Sequence, residues 1–225
     1  MRVLIIAAHP DDEVLGCGGT IANLTDSGHY VYVGILGTGI AARYEDHTIE
    51  VTDQILSLKK NLHEAANILG VTDVFTYNLS DNQFDLEGFL KIVTIIEGLI
   101  NRIEPSVIYT HHAGDLNIDH ELTAKAVITA TRPQSGNLVE KIYSFEVLSS
   151  TEWAFNSKRA FCPNVYVNIE NYLSQKLEAV SKYKDELRQF PHPRSLGGIK
   201  TLAAYRGQTV GLSYAEAFEI IREIV

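Results

Sequence analysis

Two clusters of histidine and carboxylate side chains carry residue types that bind cations and move protons. The first is His9-Pro10-Asp11-Asp12-Glu13. Pro10 fixes its own φ and pushes His9 out of the helical region, so the chain must turn sharply here. A helix starting near Asp12 would offer its partly positive N-terminus to the carboxylates gathered there. A histidine and a carboxylate three residues apart on such a turn can converge on one ion, leaving Asp11 between them free for other work. The plainer alternative is that Asp11 and Asp12 only cap the helix.

A second cluster of the same character argues against capping alone: His111-His112-Ala113-Gly114-Asp115-Leu116-Asn117-Ile118-Asp119-His120. His120, at the start of a following helix, can supply a third ligand. Three protein ligands leave one zinc position open for water, which marks a catalytic rather than a structural site. Asp119 is a candidate carboxylate behind the ligands. Of His111 and His112, at least one is expected to line the cleft or satisfy a loop backbone, and His111 is also a candidate substrate contact. Arg43 and the rigid turn Pro191-His192-Pro193-Arg194-Ser195 add His192, Arg43 and Arg194 as candidate substrate contacts, the arginines for a phosphate or carboxylate.

These groups need elements to position them. Short unbroken apolar runs at Val3–Ala8, Tyr30–Leu36, Val74–Asn78, Val107–Thr110 and Ile142–Phe145 read as strands covered on both faces. Between them, Ile55 to Leu69 keeps one face apolar until Gly70, and Leu86 to Ile103 repeats the pattern until Pro105. Alternating strand and helix implies an α/β fold, Rossmann-like and doubly wound, with a mainly parallel sheet flanked by helices. Ligands in such sheets sit outside the carboxyl ends of the strands, where both clusters fall. From about residue 165 the order changes to a short strand, a helix from Glu170 to Leu187, the Pro-rich turn, and a final helix from Tyr214 to Val225. One domain over residues 1–225 is expected, with 165–225 as a C-terminal lobe.

The 225 residues are 45% hydrophobic and 21% charged, which is ordinary for a globular domain. A net charge of -9 without a basic stripe argues against nucleic acid. No apolar run approaches the roughly 20 residues of a membrane span. The opening MRVLIIAAHPDDE ends in charge without a cleavage site, so it reads as a buried strand of a cytoplasmic protein. Cys17 and Cys162 are too few for a disulfide framework and are expected to be buried thiols. Gly16, Gly18 and Gly19 evoke a dinucleotide loop, but GCGGT does not fit G-x-G-x-x-G, which weakens a nucleotide-binding oxidoreductase.

AHPDDE at Ala8 to Glu13, DLNIDH ending at His120, and YRGQTVGLSYAEAFE at Tyr205 to Glu219 together resemble the PIG-L/LmbE-like zinc-dependent N-deacetylases. The resemblance implies hydrolysis of an N-acetyl group on an amino sugar, with His9, Asp12 and His120 holding Zn2+ or another divalent ion such as Fe2+, and Asp11 as general base. Many members carry a histidine three residues before the ligand histidine, where this chain has Asn117. That amide could donate to an oxyanion but cannot shuttle a proton. Trp153 and Tyr109 could stack on a sugar ring, although packing accounts for each. A small N-acetyl sugar, carried on a nucleotide or glycan, is the expected partner, and a homo-oligomer is left open. A metal-retaining binding module without turnover is the alternative.

Overall fold

The computed structural model describes residues 1–39, 49–133, 139–155 and 159–225, with backbone only for 49–52. The chain runs β1 (Arg2–Ala7), α1 (Asp12–Asp26), β2 (Tyr30–Gly37), α2 (Ile49–Leu69), β3 (Asp73–Leu79), α3 (Phe84–Glu87), α4 (Phe89–Ile103), β4 (Val107–His111), α5 (Ile118–Ala130) and β5 (Lys141–Phe145). A 3-10 turn at Thr151–Trp153 leads to β6 (Val165–Asn168), α6 (Leu173–Val180), α7 (Leu196–Gln208) and β7 (Ala215–Glu223).

Seven strands form one mixed, mostly parallel sheet in the order β3-β2-β1-β4-β5-β7-β6. The first five are parallel, and β7 runs antiparallel to both β5 and β6. The strand order reverses direction at β1 and β4, which pair directly from Val3↔Val107 to Ile5↔Tyr109. The carboxyl ends of these two strands therefore flank the crevice where doubly wound sheets bind ligands.

β1 shows why its apolar run is unbroken. Val3, Ile5 and Ala7 pack into one core cluster with α1, α2 and α6, while Leu4, Ile6 and Ala8 enter a second with α4 and α5. Both faces are covered, so neither set of side chains can be polar.

The structure departs from the sequence expectation at four places. The helix expected over Leu86–Ile103 splits at Gly88, whose φ of 84° is left-handed, into α3 and α4. α6 spans Leu173–Val180 rather than Glu170–Leu187. Tyr214–Val225 is not a helix, since Ala215–Glu223 forms β7. Ala and Glu favour helix, but tertiary pairing overrides propensity here: β7 fills the gap between two strands, and Glu216 and Phe218 are buried. Finally, Cys17 is buried as expected but Cys162 is exposed.

The glycines of α1 serve packing. A Cβ on Gly16 would stand 2.3 Å from Cδ2 of Phe145, and one on Gly19 would stand 2.7 Å from Cγ2 of Ile169. The helix is drawn so close to the sheet that only hydrogen fits. Phe145 is fully buried and has no room to retreat, so Gly16→Ala should cost about 1–3 kcal/mol of stability by overpacking. Urea unfolding would read this as a lowered midpoint at constant slope; an unchanged midpoint would mean that the ring yields freely.

Candidate active site

The tips of β1 and β4 are tied together by a hydrogen bond from the Ala8 N–H to Nε2 of His111, 2.8 Å long. Accepting a backbone N–H fixes His111 as the neutral tautomer protonated at Nδ1. Burial, together with the charge of His120, pushes its pKa well below the usual histidine value. Beyond this tie the chain turns at Pro10, and Asp11 takes φ 106° and ψ -30°. That conformation costs a non-glycine residue on the order of 1–3 kcal/mol. It is held by Val14 and Leu15, whose N–H groups donate to the Asp11 carbonyl at 3.1 and 2.9 Å, and by the Asp11 N–H donating to Oε2 of Glu13 at 3.0 Å. Glu13 in turn accepts from the buried Tyr183 hydroxyl, and burial pushes its pKa up to about 7. The strained residue makes the neighbouring carboxylates diverge: Asp12 faces the imidazoles and Asp11 faces Arg194.

Oδ2 of Asp12 lies 3.2 Å from Nε2 of His120, 3.5 Å from Nδ1 of His9 and 3.6 Å from Nε2 of His111. One donor atom each from His9, Asp12 and His120 fall within 4.8 Å of one another, and all three residues are buried. Carboxylates back both imidazoles. Nε2 of His9 is 3.0 Å from Oδ2 of Asp119 and 3.0 Å from Oδ1 of Asp81. Nδ1 of His120 is 3.2 Å from Oδ1 of Asp115. These carboxylates are themselves fixed: Asp119 accepts from the N–H groups of Asn82 and Phe84 at 2.6 and 3.0 Å, and Asp115 from the hydroxyls of Ser150 and Thr151. Two imidazoles and one carboxylate facing a common point, each imidazole braced by a carboxylate, is a donor set that fits a divalent cation.

The electrostatics match this geometry. Burial disfavours charge on His120, but Asp12 and Asp115 prevail and raise its pKa to about 9. Burial is likewise outweighed at His9 by its hydrogen bonds to Asp119, Asp12 and Asp81, and the value stands well above the usual one. Asp12 would be pushed up by burial, yet the surrounding imidazoles hold it well below the carboxylate range. Asp11 behaves oppositely: burial and the neighbouring acids raise it, against the opposing pull of Arg194.

The remaining predicted residues lie as follows. His111 is fully buried and stacked on His120 at 3.9 Å between ring centroids, so it supports the cluster and presents nothing to a substrate. His112 faces away, between Oε2 of Glu219 and the Arg159 carbonyl, both at 2.8 Å, and pins its loop to β7. Asn117 is the N-cap of α5: its Oδ1 accepts from the Asp119 N–H at 2.8 Å and its Nδ2 donates to Asn82 at 3.2 Å. His192 is half-buried and meets Trp153 edge-to-face at 5.7 Å. The guanidinium of Arg194 is committed to Asp11, with Nη1 donating to Oδ2 at 2.9 Å. Arg43 lies outside the described residues. Sequence reasoning missed Asp81 and Asp115. Asp81 follows β3, and the strand-end rule extended to that strand would have found it.

Residues 4–131 match the family PIG-L: GlcNAc-PI de-N-acetylase. The diacetylchitobiose deacetylase of Thermococcus kodakarensis is 30% identical over 98% of this chain and 83% of its own. Among solved structures, the N,N'-diacetylchitobiose deacetylase from Pyrococcus horikoshii superposes with a TM-score of 0.79 at 21% identity, over 98% of this chain and 84% of that one. The 4-carboxy-2-hydroxymuconate hydratase of Pseudomonas putida KT2440 also reaches 0.79, at 19% identity, over 100% and 97%. The shared fold thus accommodates different reactions. The family match takes in both clusters and the helices that carry Asp12 and His120, and the chain belongs to the PIG-L family of de-N-acetylases.

Proposed function

We propose that this protein is a zinc-dependent amide hydrolase that removes the N-acetyl group from a soluble amino sugar. The observation that carries this reading is the buried His9–Asp12–His120 cluster with the carboxylate of Asp11 beside it, in a chain of a de-N-acetylase family. When bound by these three residues, the ion supplies electrophilic polarisation of water and of the amide carbonyl. Asp11 takes a proton from the attacking water as its oxygen bonds to the carbonyl carbon. The C–N bond then breaks, and the same carboxyl group returns the proton to the departing nitrogen, giving acetate and a free amine. His111 and His112 are both engaged elsewhere and Nδ1 of His192 accepts the Arg194 N–H, so we assign to Asp11 the transfer of the proton in both directions. Asn117 keeps one amide hydrogen beyond its bond to Asn82, and that hydrogen is available to the developing oxyanion. Trp153 and His192 form an aromatic rim suited to a pyranose ring. Arg194 is engaged with Asp11 and is not the grip for a phosphate on the sugar's carrier.

Replacing His9, Asp12 or His120 by Ala should abolish stoichiometric metal, measured by elemental analysis. Asp11→Asn should retain the ion and lose at least about 10²-fold in acetate release, the scale of general base catalysis. Loss of metal from Asp11→Asn would mean that the two aspartates have exchanged roles. A hydratase or a binding module would release no acetate from any N-acetyl sugar.

Asn117→Ser keeps an N-cap while removing the amide donor. Turnover of this variant should fall by about 10² with KM little changed, and unaltered kinetics would assign the oxyanion to the ion alone.

Trp153 is the single tryptophan, so intrinsic fluorescence reports on the rim directly. N-acetylglucosamine should perturb it saturably in wild type and much more weakly in His192→Ala. A spectrum indifferent to sugar removes Trp153 and His192 from the binding surface.

A further inference from the structure

Arg194 reaches the site from the far end of the chain. Its Nη1 donates to Oδ2 of Asp11 at 2.9 Å and its Nε to the Leu148 carbonyl at 3.1 Å, with Oε2 of Glu186 3.8 Å from Nη1. Its side chain is only 20% exposed and that of Asp11 only 6%. The backbone around it is braced. The Arg194 N–H donates to Nδ1 of His192 at 3.1 Å, its carbonyl accepts from the Arg188 N–H at 3.3 Å, and the next residue, Ser195, caps α7 through the Gly198 N–H. Gly198 lets the Pro193 carbonyl come within 2.3 Å of where a Cβ would stand, so this turn lies close against the helix it opens.

Asp11 has little freedom of its own. Its carbonyl and N–H are both consumed in the turn, and Oδ2 of its carboxylate accepts from Arg194. What remains to be set is the rotation of the carboxylate, and a guanidinium anchored at two points can set it. We infer that Arg194 is a positioning residue that acts through Asp11, holding Oδ2 so that Oδ1 is presented to the attacking water, and is not a grip for substrate. This rests on the assignment of Asp11 as the base.

The test is a double-mutant cycle on the metal-loaded enzyme. Arg194→Ala and Arg194→Lys should keep full metal stoichiometry. Alone, Arg194→Ala should lower kcat by about 10²-fold with KM within about 2-fold, the cost of a misplaced catalytic group. Lysine replaces the rigid guanidinium fork by a single mobile ammonium, so Arg194→Lys, which preserves the buried charge and guards against misfolding, should fall in between. Added methylguanidinium should partly restore kcat of Arg194→Ala. In the Asp11→Asn background, Arg194→Ala should change kcat by less than about 3-fold, because its target is already gone. Losses that multiply across the two sites, or a raised KM with intact kcat in Arg194→Lys, would overturn the inference and make Arg194 a substrate contact while leaving Asp11 as base. An Asp11→Asn enzyme with undiminished kcat would instead remove the base assignment itself, and the role of Arg194 with it.

Discussion

The structure is organised around the need to neutralise carboxylates that are out of reach of water. Asp11, Asp12, Glu13, Asp81, Asp115 and Asp119 are all less than a tenth exposed and gather at one end of the sheet. Such a concentration of anions is tolerable only with positive partners at hand. The chain provides His9 and His120 to Asp12, Asp81, Asp115 and Asp119, Arg194 to Asp11, and the opening turn of α1 as a dipole. A divalent cation held by His9, Asp12 and His120 would take the place of the imidazolium protons in this balance. Metal affinity and fold stability would then be linked at this end of the molecule, since the same contacts would serve both.

That end of the sheet is assembled from distant stretches of sequence. β1 and β4 pair side by side and lead into the turn and the helices that bear His9, Asp12 and His120, the loop after β3 contributes Asp81, the segment after β5 contributes Ser150 and Thr151, and the turn before α7 contributes Arg194. Residues 165–223 add β6 and β7 to the same sheet and reach the site themselves, and Glu219 of β7 holds the loop that bears His112. The last quarter of the chain is therefore part of the site's support.

Much of this was legible in the residues alone. The unbroken apolar runs gave the parallel strands because central strands buried on both faces hold few polar side chains, and the two acidic clusters marked the carboxyl ends where a doubly wound sheet binds ligands. The misses have physical causes. Ala215–Glu223 carries helix-favouring residues, and only the vacancy between β5 and β6 makes it a strand. His111 looked like a site residue by position, but its lone pair belongs to the Ala8 N–H. Arg194 looked free because its partner lies 183 residues earlier in sequence.

The position of β7 has a consequence for how the molecule comes into being. A ribosome delivers β5 and then β6, but the strand that lies between them in the sheet is made after both. Until it emerges, β5 exposes an open edge and β6 has no neighbour with which to pair. Unpaired edges of this kind are where nascent chains stick to one another. The interval between synthesis of Phe145 and Glu223 is thus the stretch of biogenesis in which these edges stand unpaired.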